Sequence, residues 1–330
     1  MGMNRITLLD IARQQDPDGQ IAEIVEVLSQ SNPHLQDAPA YASNAEMGNR
    51  VTIRSSLPSV YWRQINQGVT RSKGSSHQVV DTIGMISALS EVDANLKRIH
   101  GEGKFNRVRW NEDKGFLEAL TKEVANTLLY GNENTDPAAF TGIQPRQASL
   151  ATAITGSQVR EHHSGSGSDR TSLYVIDWHE DYCHLIFPEA SKAGIDSEDL
   201  GKQRVTDADG KPFTAYVTEY TWMVGLTVKD PRHIGRLCNI DVSTALADTT
   251  FASWLTTSLT KLFAAMEPRN GANRCIYCSR NIYAAMLLQV QQQSNVLFSW
   301  DEYLGRKTLH FQDAAVRPCD QMSEGEAEVT

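Results

Sequence analysis

Between Arg50 and Val80 the chain carries five basic residues, Arg50, Arg54, Arg63, Arg71 and Lys73, and no acidic one. The segment reads as strands, RVTIRS, then SVYWRQI, then a glycine-interrupted GVTRSKGSSHQVV, with Gly68 and Gly74 framing a polar tip. A ribbon of two or three strands is marginal in water unless it packs on something else. Nothing in these residues can form a core of its own. The rest of the chain is therefore limited to folds that project a ribbon and provide it with a partner surface.

Charge suggests where that surface lies. From Asp177 to Asp209 there are nine acidic residues against three basic ones, Lys192, Lys202 and Arg204. Two readings stand: a pair of solvated surfaces of opposite sign, or the basic segment of one copy resting on the acidic segment of another, since complementary potentials set register between partners. The net charge of −9 argues against a protein that grips nucleic acid over much of its surface.

The clearest element is a helix. In WNEDKGFLEALTKEVANTLLYGN, Phe116, Leu120, Val124 and Leu128 fall four apart with Leu117 beside them, one apolar stripe. Asn111 is placed to cap it, Glu112 and Asp113 sit in the first turn, and Gly131 closes the end. The expected span is 112–130. The loop that follows, YGNENTDPAAFTGIQPR, is longer than an ordinary connection. Loops of this length are completed by a partner or packed on themselves, and Asn132, Asn134, Asp136, Phe140 and Arg146 are the candidates for contact with a neighbour.

Upstream, residues 20–30 predict a helix through Ile21, Ile24, Val25 and Leu28, followed by a Pro- and Ala-rich stretch that reads as an arm. Beyond residue 150 the pattern is β-rich. SLYVIDW and CHLIF, separated by HEDY, read as a hairpin; Asp207-Ala208-Asp209-Gly210 is a turn between strands. AYVTEYTWMVGLTV alternates with Thr218 the one interruption of its apolar face, and reads as a long, half-buried strand or a bent pair. Helices are expected over 251–266 and 281–293, then two short strands, KTLHFQD and AAVRPCDQ, and an acidic tail.

No motif demands an enzyme. WHEDYCH holds His179 and His184 five apart, whereas a zinc-protease helix needs them four apart, so a solvated turn is the better account. Cys275-x-x-Cys278 has no second pair to complete four zinc ligands and reads as buried free thiols. In the Asp-Ala-Asp-Gly turn, Val205 and Tyr216 stand where calcium needs carboxylates. GEGK at 101–104 lacks the upstream glycine and the following Ser or Thr of a phosphate loop, and SGSGSD at 164–169 follows no strand. No cofactor and no metal are expected.

The five scattered cysteines fit a reducing compartment, no apolar run approaches the ~20 residues that span a bilayer, and Asp10 and Arg13 interrupt any signal-peptide core. A cytosolic chain off the membrane is the expectation.

The order arm, basic ribbon, long helix, β-rich region and late helices resembles the HK97-type fold of tailed-bacteriophage major capsid proteins. YGNENTDPAAFTGIQPR, the stretch from Cys183 to Asp241 and FQDAAVRPCDQMSEGEAEV are similar to segments of the capsid proteins of short-tailed double-stranded DNA phages. The resemblance implies an α+β chain divided into an arm (1–48), an extended loop lying over a neighbour (49–100), a peripheral domain with a spine helix (101–150 and 296–330) and an axial domain (151–295). It further implies pentamers and hexamers of itself in an icosahedral head around double-stranded DNA, in the virion, assembled in the host cytoplasm with scaffold, portal and cement partners. Some members join a loop lysine to an asparagine of the next copy. Lys73 matches that lysine, but residues 299–330 contain no Asn, so non-covalent contacts or a cement protein are expected. The rival functions are another oligomeric phage component and a metal-dependent hydrolase built on WHEDYCH.

Overall fold

The computed structural model describes residues 32–150, 158–161, 169–207, 209–247, 251–268, 270–292, 298–303 and 306–330. The helix expected over 20–30 and all of the 164–169 loop except Asp169 lie outside these residues.

A short helix, α1 (Pro33–Asp37), and strand β1 (Ala40–Ala42) precede β2 (Gly48–Ser56) and the 19-residue β3 (Ser75–Asp93). The long helix α2 (Asn95–Tyr130) and the single turn α3 (Ile143–Arg146) come next. Five strands follow: β4 (Val159–Glu161), β5 (Arg170–Trp178), β6 (Cys183–Phe187), β7 (Ile195–Thr206) and β8 (Pro212–Val228). A 3-10 turn (Pro231–His233) leads into β9 (Ile234–Asp241), and α4 (Val242–Ala247) and α5 (Phe251–Ala265) into β10 (Asn273–Cys278). After α6 (Arg280–Gln292) come β11 (Phe298–Tyr303), β12 (Arg306–Phe311) and β13 (Ala314–Pro318). The strands join into one sheet, in the order β11-β12-β13-β10-β5-β6-β8-β3-β2, with β1 beside β6, β9 beside β5 and β7 beside β8.

Why SLYVIDW is a continuous apolar run is now plain. Leu173 and Val175 of β5 face α5 and α6, packing with Leu255, Leu259, Ile282 and Met286. Tyr174 and Ile176 face the other way, toward Val124, Leu128 and Leu129 of α2. A strand covered by helices on both faces has no polar face to alternate with. The core is thus helix, sheet, helix, and the expected stripe of α2 points into it through Leu120, Val124 and Leu128.

Several expectations are corrected. The long helix begins at Asn95, not Glu112, and Asn111 lies inside it. The stripe continues backward through Val108 and Phe105 onto Tyr216 and Val92, past a kink at Gly101 with φ 75°. β3 ends at Asp93, and its pairing with β2 ends at Thr82. SVYWRQI is not a strand: residues 57–74 have no regular secondary structure.

SLYVIDW and CHLIF do not form a hairpin. β6 runs antiparallel to β8 and meets β5 only at Trp178–Cys183, where the pairing is parallel. The turn at residues 207–211 does join β7 to β8 as expected. β11 is a strand the sequence pattern did not reveal.

Residues 32–48 are not a free arm. The His34 ring contacts the Ala125 carbonyl and Cys319, Asp37 accepts from Tyr277 and pairs with Arg317, and β1 pairs with β6. Nor is the acidic tail loose. Glu326 accepts from Arg236, Ser172 and Tyr130, and Asn239 holds Val329 through both backbone atoms.

Candidate assembly interface

The ribbon consists of β2 and the outer half of β3, paired antiparallel from Gly48–Thr82 to Ser56–Ser75. Beyond Ser75 the two sides stay together through Ser72 Oγ donating to the Ser59 carbonyl at 2.7 Å. The chain reverses at Gln64–Gln67, where Asn66 takes φ 69°; Asn tolerates this left-handed region better than most residues. Gly68 and Gly74 therefore do not make the turn.

At its root the ribbon is tied to the body. Asp81 is buried, receives Arg146 at 2.7 Å and accepts from Thr227 Oγ1 and the Val228 amide. Asn49 donates to the same Thr227 hydroxyl, and Thr82 donates to Glu133. Backbones approach closely here: a Cβ on Gly225 would lie 2.5 Å from the Thr82 carbonyl. A side chain at that position would push β3 off β8.

The 131–146 loop is what holds this root. Its neck closes by the Gly142 amide donating to the Gly131 carbonyl, and Asn132 receives Asn134, Thr135 and Asp136 in a local turn. Phe140 is 3% exposed and packs in the core beside Val124 and Ile143, and the Arg146 guanidinium joins the loop, Asp81 and the Leu226 carbonyl. These two residues are corrections to the expected surface set: they work within their own chain because Asp81 and the α2 stripe need partners. Asn134 and Asp136 remain exposed and Asn132 partly so.

The five basic candidates share one feature. Arg50 and Arg54 lie exposed on β2, and Arg63, Arg71 and Lys73 lie exposed in the 57–74 segment. Sequence reasoning missed what stands among them. Leu57, Val60, Tyr61, Trp62 and Ile65 are all exposed, Trp62 at 103%. Large apolar residues crowded on one projection mark an interaction site. The signal is present in SVYWRQI, which reads from the sequence as a strand of the ribbon.

On the acidic side, Asp177 is unavailable, buried against Arg274 and His233. Asp196, Glu198 and Asp199 are exposed on β7. Asp199 is held below the ordinary carboxylate range first by its bond to Arg109. In the WHEDYCH turn, His179 accepts from the Asp181 amide while His184 is buried edge-on to Tyr41, its basicity pushed down to about 4 by burial and then by Lys229. All five thiols are buried and free. Among the described residues no cluster of three or more metal-ligating side chains occurs, and no helix is long and apolar enough to cross a membrane.

A ribbon with an uncovered apolar and basic tip projects from a body built on a long helix, and this architecture is that of HK97-like phage capsid proteins among solved structures. The chain belongs to the family whose model is described as Major capsid protein GP7, which matches residues 16–330. A chain of the bacteriophage Epsilon15 structure is 30% identical, with 100% of the present chain and 98% of that one covered and a TM-score of 0.77. The bacteriophage JBD30 capsid is 10% identical over 96% and 99% of the two chains, with a TM-score of 0.53, a likeness of fold alone. Comparison with curated proteins gives no match. The chain is a coat protein of the phage head and belongs in the virion.

Proposed function

We propose that the chain builds an icosahedral shell of pentamers and hexamers by laying its ribbon on a neighbouring copy, non-covalently. The observation that carries this reading is the uncovered tip, where Trp62 and four other large apolar residues stand among Arg63, Arg71 and Lys73. Burying each such side chain is worth about 1.5–3 kcal/mol, and the monomer forgoes it. Many such contacts around each subunit add by effective concentration, so weak pairs make a strong shell.

In this reading the ribbon (48–82) is the extended loop, α2 the spine helix of a peripheral domain that the closing strands rejoin, and the α4–α6 layer part of the axial domain. Residues before 32 serve as the arm. Scaffold, portal and cement proteins complete the particle in the host cytoplasm, and the acidic wall encloses double-stranded DNA without gripping it, since like charges repel the phosphate backbone. The test is the triple change Arg50→Glu, Arg54→Glu and Arg63→Glu. The monomer keeps its fold and particles disappear from electron micrographs; normal particles at physiological salt would remove the ribbon from assembly.

A further inference from the structure

The same subunit that projects a knob also carries a hole. A cleft of about 170 Å³ lies between α2, β3 and the loop, walled by Gly84, Ile86, Val124, Phe140 and Val224. That is several times the ~30 Å³ of one water and below the roughly 300–1,000 Å³ of small-molecule sites, so it is sized for one large side chain. Glu123 and Asp136 line its exposed mouth. The wall is apolar and the mouth acidic.

Trp62 has the opposite character. It is 103% exposed, so it does not occupy the cleft of its own chain, and Arg63 follows it in a stretch without acids. We propose that the cleft receives the Trp62 indole of a second copy, with Arg63 set against Glu123 and Asp136. The proposal rests on the reading that the ribbon reaches a neighbour, and it names the seat. Knob and hole are different surfaces of one chain, so the contact is head-to-tail and builds rings and arrays, not closed pairs. An indole supplies large contact area at low entropic cost, and the acids fix its register.

The rival seat is the free edge of β7, where a basic strand would add to the sheet. That edge is defended: a register shift between Asp199 and Gly201, φ 70° at Gly201, and Arg109 bound to Asp199. Bulges and charges of this kind discourage an added strand.

A disulfide trap decides between them. The chain bearing Trp62→Cys and Ala139→Cys is assembled, exposed to oxidised glutathione and run on a non-reducing gel; the native thiols are buried and stay silent. A ladder of covalent multimers from particles, and none from unassembled chain, is expected, while Trp62→Cys with Ser197→Cys on β7 gives none. Particles without the first ladder, or with the second, overturn the cleft and leave the ribbon reading standing. Should loss of Trp62 block assembly, the charge pair is tested alone. Glu123→Arg with Asp136→Arg reduces particle yield at least tenfold and Arg63→Glu restores it; a folded triple variant without recovery also overturns the proposal.

Discussion

Arg146 Nη1 and Asp81 Oδ1, 65 residues apart in the chain, meet at 2.7 Å where the ribbon leaves the body. One partner lies on the loop after the long helix and the other on β3, so the pair fixes the direction in which the ribbon points. Asp81 is buried, and its two remaining donors, Thr227 and Val228, are neutral.

Arg146→Ala strands that carboxylate without a counter-charge. Because Arg146 is partly exposed, the expected loss is about 3 kcal/mol, the low end for a broken buried pair. Urea unfolding measures it, and hydrogen exchange at residues 79–84 quickens. An unchanged urea midpoint would show the clamp to be idle.

The tail is expected to behave as part of the core. Arg236 and Glu326 are both buried at 2.8 Å, so Glu326→Ala leaves a buried guanidinium and costs on the order of 3 kcal/mol. Glu324, which accepts from the exposed Asn281 amide, is the control. Glu324→Ala shifts the unfolding midpoint little.

Acid sensitivity follows from His34. Burial holds its imidazole down at about 4, while in the unfolded chain it titrates near 6.5. The unfolded state therefore binds the proton first. Stability from this group is whole above pH 6.5 and drains away as pH falls toward 4, on the order of 3 kcal/mol in all. His184 is shifted the same way and adds to the slope. Melting temperatures at pH 7.5 and 5 converge in His34→Gln relative to the parent; an equal gap in both proteins refutes the assignment.

Thiol reactivity offers a direct check on packing. Burial raises Cys238 and Cys319 to about 11 and Cys275 to about 12, and pushes Cys183 and Cys278 up further. Few thiolates exist at pH 8, and those are covered. Native protein should give almost no colour with a chromogenic disulfide reagent, whereas guanidinium releases all five. Rapid reaction of even one in the native state contradicts the burial.

How much could be read from the chain alone divides along sequence distance. The α2 stripe from Leu120 to Leu128, the residues 207–211 turn and the extent of β8 are local patterns and stand where the sequence put them. β8 does not alternate, however: Ala215 and Val217 are buried, and so is every residue from Val224 to Val228. What escaped depends on partners far away. Phe105 and Val108 belong to the stripe, but Gly101 and Gly103 upstream masked the continuation of the helix. Arg146 looked like surface because Asp81 is remote, and Glu326 looked like tail because Arg236 lies 90 residues upstream. The tip deceived in the opposite sense. Val60, Tyr61, Trp62 and Ile65 have the composition of a strand that packs, and in the single chain they pack on nothing.

β3 runs unbroken for 19 residues, about 60 Å at ~3.3 Å each, with its outer half laced to β2 and its inner half to β8. Asn95 and the long helix begin two residues after it ends, and the first joint on the way is the kink at Gly101. A pull on the projection is therefore delivered as tension along a stiff rod to that joint. With the ribbon laid on a neighbour as proposed, subunits are joined through levers, and the shell can carry load from one member to the next.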